Sequence, residues 1–182
     1  MKKVLLTMLV TLLALSAMAK NFTYEGLVYT VLDETAKTCQ TKSNNSTNIE
    51  GAINIPSSVS DGSSMYTVGK IGDASFCGCD KLTSVSIPES VSDIGEYAFY
   101  ECTSMISVSI PESTVTIGKY AFNGCTAFTF AVMPAYEIGL KAFEKCTDLR
   151  SVTITESVNI IRESAFENCS ELTEIILPNS VT

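Results

Sequence analysis

Apolar residues return along this chain on a ruler about 23 residues long. Phenylalanine stands at 76, 99, 122, 143 and 166 and cysteine at 79, 102, 125, 146 and 169, with successive spacings of 23, 23, 21 and 23. The first full unit places Leu82, Val85, Ile87, Pro88, Val91, Ile94, Gly95, Ala98 and Phe99 between them. The next places Met105, Val108, Ile110, Pro111, Ile117, Gly118, Ala121 and Phe122. A unit this short cannot bury a core alone, whereas stacked copies can, so the pattern predicts a solenoid.

Inside each unit the period changes. LTSVSI (82–87) and LRSVTI (149–154) alternate at period two and predict a short strand with Val and Ile inward. Proline then ends the strand, because it has no donor for a ladder. S-V-x-x-I-G predicts a second short extended or turn segment. The x-x-A-F-x-x-C piece is expected to form one helical turn with Ala and Phe inward, held by stacking because a turn has little stability of its own. Some units depart from the ruler. Thr114 stands where the first unit has Val91, and neighbouring Val115 is expected to supply the missing apolar group. The unit after Cys125 is two residues shorter between Pro134 and Ile138, a deletion suited to a turn. Thr155 replaces the proline and Arg162 the glycine. If Gly95 and Gly118 take positive φ, Arg162 makes that corner costly; if they only allow close approach, a small shift suffices.

The full pattern, I-G-x-x-A-F-x-x-C-x-x-L-x-x-V-x-I-P-x-S-V over residues 51–182, resembles the BspA-like leucine-rich repeat family. The resemblance implies an α/β leucine-rich-repeat solenoid. Short parallel strands line one face, and turns or short helical pieces fill the other. It also implies adhesion or protein interaction more often than catalysis.

The ends do not follow the ruler. Lys2, Lys3 and an apolar run closing at Ala17-Met18-Ala19 read as a secretion signal over residues 1–19. Residues 20–50 are expected to form a non-repeat cap. FTYEGLVYTVLD (22–33) is expected to give one or two edge strands, KTCQTKSNNSTNIEG (37–51) a loop or turn, and SDGSSMY (60–66) a turn or small hairpin within the first unit. LTEIILPNSVT (172–182) stops where another I-G-x-x-A-F piece belongs, and the array is expected to be truncated or to continue beyond it.

Composition narrows the chemistry. Removing residues 1–19 takes away two lysines and leaves 10 basic against 20 acidic residues, a balance opposed to nucleic-acid binding. The chain has no histidine, which removes Ser-His-Asp, Cys-His and histidine-metal sites. Seven cysteines in an exported chain first suggest disulfides. Five of them, however, share one register: Cys79, Cys102, Cys125, Cys146 and Cys169 are expected to pack as a buried ladder beside Phe76, Phe99, Phe122, Phe143 and Phe166. A row of identical ligands does not converge on a metal. Cys39 and Cys77 are the one candidate bridge. Cys77-Gly78-Cys79 is one residue short of a redox C-x-x-C. Glu89, Glu96, Glu101, Glu112 and Glu144 are expected as solvated surface groups. No calcium-loop or phosphate-loop pattern occurs. No enzyme activity, cofactor, metal site or membrane association after signal removal is expected.

If Val85 and Ile87 point inward, Ser84 and Ser86 point outward, as do Ser107 and Ser109, Phe130 and Val132, Ser151 and Thr153, and Glu174 and Ile176. Phe130-Val132 is an apolar step on a mostly hydroxylated face. It either anchors another protein or tips inward with the shortened repeat, or is covered by a loop. These features describe a secreted or cell-surface, non-catalytic protein-interaction or adhesion domain whose partner is an extracellular or cell-surface protein. The alternative is a structural spacer or stalk for another module. Glycan binding ranks last, since the chain lacks tryptophan and the strand face lacks a row of tyrosines.

Overall fold

The computed structural model describes residues 19–43 and 49–181, so the secretion signal, apart from Ala19, lies outside the described residues. The strands, in chain order, begin with β1 (Asn21–Tyr24), β2 (Leu27–Asp33), β3 (Thr38–Lys42), β4 (Gly51–Asn54), β5 (Ser58–Ser60) and β6 (Met65–Ile71). There follow β7 (Leu82–Ser86), β8 (Asp93–Ile94), β9 (Ser107–Ser109), β10 (Thr116–Ile117) and β11 (Phe130–Met133). The last are β12 (Glu137–Ile138), β13 (Ser151–Ile154), β14 (Ile160–Ile161) and β15 (Glu174–Ile176). They wind into a stack of about five turns, a β-solenoid of the leucine-rich-repeat type.

Each repeat contributes one strand to each of two faces. The I-P-preceding strands form parallel ladders β4-β7-β9 and β11-β13-β15, and the two-residue I-G strands extend a nine-stranded sheet in the order β1-β2-β3-β6-β8-β10-β12-β14, with β5 paired to β6. The first ladder gives way to the second between β9 and β11, where the Thr129 N–H to Ile106 carbonyl bond (3.3 Å) crosses at the strand entry.

The expected α component is absent: no helix occurs among the described residues, and the A-F piece is a pair of tight turns. Ala98 N–H donates to Gly95 O (3.4 Å) and Cys102 N–H to Phe99 O (3.3 Å), each bond closing four residues. Tyr97 (φ 55°) and Glu101 (φ 54°) occupy the third positions, where such a turn needs a left-handed residue. The same two places recur at positive φ in every unit, as Tyr120 and Gly124, Lys141 and Lys145, then Ser164 and Asn168. Helix geometry would direct the N–H groups back along the same segment. Here they point along the stack instead: Phe76, Phe99, Phe122 and Phe143 donate to Ala98, Ala121, Ala142 and Ala165 at 2.7–2.8 Å. The turn is therefore a third ladder, satisfied by the next repeat.

The five phenylalanine rings stack along the axis with centroids 5.1, 5.1, 5.0 and 5.4 Å apart, close to the strand spacing of about 4.8 Å. Phe76, Phe99, Phe122 and Phe143 are buried, and Phe166 in the last turn is half-buried. The corner glycine is a matter of close approach. Its φ is not positive at 95 or 118, and a Cβ on Gly118 would lie 2.7 Å from the Gly95 carbonyl carbon. Arg162 sits on the same rung. It keeps the ladder bond to Ile138 O (2.9 Å) and extends to Glu137 Oε1 (2.7 Å).

Two further expectations are corrected. The segment from Lys37 does not form a loop throughout: Thr38–Lys42 is a strand, because Cys39 and Thr41 alternate inward between β2 and β6. Val115 does not replace the inward group at Thr114. Val115 is exposed, and Thr114 is buried with a hydroxyl that has no partner.

Candidate interaction face

Strand register decides which side chains reach solvent. Val85 pairs with Val108, and Ser84 and Ser86 with Ser107 and Ser109, so one row of hydroxyls lies beside the next. Phe130 pairs with Ser151 and then Glu174, and Val132 with Thr153 and then Ile176. Within β11 the alternation is sharp. Ala131 and Met133 are buried, while Phe130 is 50% and Val132 42% exposed. The shortened unit thus leaves both side chains outward. Ile176, at 69%, continues the apolar row past Thr153, and Ile106 is exposed at the entry to β9. Ile106 stands where the neighbouring units have Thr83, Thr129 and Arg150, and that apolar departure is the signal in the sequence that could have marked it.

The cysteine register falls inside. Cys79, Cys102, Cys125 and Cys146 are buried, and Cys169 is half-buried in the last turn. The thiols of Cys102, Cys125, Cys146 and Cys169 donate to the carbonyls of Phe76, Phe99, Phe122 and Phe143 at 3.1–3.3 Å. Burial pushes the Cys79 and Cys169 thiols up to about 11, and Cys102, Cys125 and Cys146 further still, so none of these supplies a thiolate at neutral pH. Cys39 and Cys77 are both free, the first buried and the second exposed. Among the described residues, no three His, Cys, Asp or Glu side chains come together as a metal site.

Glu144 departs from the expected solvated group. It is buried, accepts from Asn123 Nδ2 at 2.7 Å and pairs with Lys141 at 3.2 Å. Burial pushes its carboxyl up, and these two donors outweigh that and hold it below the usual glutamate value. It closes a rung of the turn ladder. Along the corner glycines runs a groove of about 410 Å³ floored by Gly95, Gly118 and Gly139. Its walls are largely self-neutralised, with Lys70 on Asp73 (3.3 Å) and Arg162 on Glu137 (2.7 Å).

A stacked array of short strands with an exposed hydroxylated face and a repeated A-F-x-x-C turn defines a leucine-rich-repeat protein. Residues 69–182 match the BspA-type leucine-rich repeat region in six copies, and the chain belongs to that family. Among solved structures it is similar to the leucine-rich repeat protein of T. pallidum, with 29% identity over 84% of this chain and 69% of the other and a TM-score of 0.73. It is also similar to a leucine-rich cell surface protein of Faecalibacterium prausnitzii, with 29% identity, 92% of this chain, 51% of the other and a TM-score of 0.65. The pneumococcal vaccine antigen PcpA shares the fold at 17% identity, covering 84% of this chain and 43% of that one, with a TM-score of 0.68. The chain spans about half the length of the F. prausnitzii protein. A search of curated protein sequences finds no match.

Proposed function

We propose that this chain is an exported, non-catalytic interaction or adhesion module that presents its strand face to an extracellular or cell-surface protein. The observation that carries the reading is the outward pair Phe130 and Val132, half-exposed on strands whose other outward residues are mainly serine and threonine. An aromatic anchor beside small hydroxyl groups gives a partner apolar area at the centre and hydrogen-bonding groups around it. The description of the F. prausnitzii relative as a cell surface protein supports the location, as does the export-like start of the chain.

The test is a pull-down from extracellular fractions with residues 20–182 and with the Phe130→Ser, Val132→Ser double variant, both checked for native melting. Capture by the parent and loss by the folded variant is the expected result. Equal capture by both moves the contact off this face. Absence of any specific partner places the spacer reading ahead.

A further inference from the structure

The N-terminal end of the solenoid is built unequally. On one face β3, β2 and β1 carry the nine-stranded sheet beyond β6; on the other, the ladder stops at β4, which pairs only with β7 among the described residues. The cap therefore stands three strands beyond the β4 edge. Between them lies a cleft of about 310 Å³ lined by Tyr24, Leu27, Tyr29, Ile53, Asn54 and Pro56, with Glu25 as its charged group.

Parallel pairing fixes the direction of the β4 backbone. Gly51 N–H donates to Lys81 O and Ile55 N–H to Ser86 O, both at 3.0 Å. β7 carries one extra residue between the partners of Gly51 (φ 74°) and Ala52; past that irregularity 53 and 55 face β7, and the N–H and C=O groups of Ala52 and Asn54 are directed to the open edge. Pro56, next in that alternation, has no N–H, so the edge offers two donors. An open edge of this kind is a template for another strand.

A second, independent feature belongs to the same cleft. Tyr29 is fully buried, its ring stacks on Phe22 at 5.7 Å, and its hydroxyl has no hydrogen-bond partner. Tyr29 is itself one of the residues that line the cleft, beside Tyr24 and Glu25. A buried hydroxyl left unmatched is costly and calls for a partner.

We propose that this cleft binds an extended peptide segment of a partner protein as an added strand on β4, with the Tyr29 hydroxyl bonding its backbone. Apolar side chains at alternate peptide positions pack on Tyr24, Leu27 and Ile53, and Ala52 and Asn54 supply the ladder bonds. Glu25 favours a basic residue at one end of the peptide. The site is separate from Phe130 and Val132, and either can fail without the other.

The experiment uses residues 20–182 and a panel of labelled octapeptides alternating apolar and polar residues, led by the chain's own KLTSVSIP (81–88), the strand that β4 already accepts on its other edge. Saturable binding is expected. Two versions of the bound peptide, N-methylated at alternate sets of amides, are expected to differ at least tenfold, because only one set faces β4. At saturation, amide exchange at Ala52 and Asn54 is expected to slow tenfold or more. Tyr29→Phe should weaken binding several-fold without lowering the melting temperature. The proposal is overturned if no panel member binds below millimolar concentration, or if both methylated peptides bind alike. It is equally overturned if Ala52 and Asn54 are already protected in the free protein, or if the protein itself associates head to tail through this edge.

Discussion

At the scale of single residues, polar groups in the core are answered by a neighbouring turn on some rungs and left unanswered on others. Glu144 is answered by Asn123 and Lys141, and the cysteine thiols by phenylalanine carbonyls. Thr114 is not answered: its hydroxyl is buried without a partner on a rung where the first unit has Val91. Valine keeps the shape and removes the stranded hydroxyl, so Thr114→Val is expected to stabilise the fold by about 1–2 kcal/mol. Chemical denaturation checks it, and an unchanged or lowered midpoint overturns the assignment. Sequence spacing identified position 114 as a core rung but assigned the inward group to Val115. β10, which follows, is only two residues long, so the facing here is set by pairing with β8 rather than by a long alternation.

At the scale of the element, the A-F turn separates what periodicity records from what it cannot. Spacing correctly placed Ala98 and Phe99 inward, because inwardness depends only on which residues avoid water. It suggested a helix, because a phenylalanine following the glycine at short range fits one turn of either kind. The structure chose paired turns, with left-handed residues that are mostly not glycine, since the bonds they free run to the next repeat. Lys145 (φ 62°) and Gly124 (φ 74°) are equivalents of this kind. Left-handed geometry costs a residue with a Cβ on the order of 1 kcal/mol. Lys145 is exposed, and the backbone bond from its N–H to Glu167 O (2.9 Å) needs no side chain. Lys145→Gly is therefore expected to raise stability by up to about 1 kcal/mol, whereas glycine at an exposed position in a helix would lower it. The sign of the change in melting temperature distinguishes the two backbones.

At the scale of the whole molecule, the cap and the stack are joined by a small ionic cluster. Lys20 pairs with Asp61, Tyr66 donates to Glu34 Oε2 at 2.9 Å, and Lys37 pairs with Glu34 at 3.2 Å. The Lys20 ammonium, then the N–H groups of Ser63 and Ser64, hold the Asp61 carboxyl well below its usual 3.8. A depressed carboxylate contributes stability that is present above the unfolded value and lost as pH falls through the folded one. Melting temperature should thus fall as the pH drops below 3.8, and Asp61→Asn should flatten that acid limb while lowering the plateau at neutral pH. A parallel acid limb in the variant would show that the cluster does not tie the cap down.

The sequence by itself determined the repeat, its length, the core rungs from Phe76 to Phe166 and the inward cysteines, while the outward facing of Phe130 and Val132 was settled only by the fold. The features that the sequence determined follow from which side chains partition away from water, and that partition is written as spacing. The tertiary structure alone decided the conformation of the A-F turn, the inward choice of Thr114 over Val115, the burial of Glu144 and the strand at Thr38–Lys42. It also decided that the cap would stand three strands beyond β4, with Tyr29 and Asn54 lining the cleft between them. Each of these depends on hydrogen bonds to a neighbouring strand or turn, or on where a neighbouring strand stops, and neither leaves a periodic trace in the residues themselves.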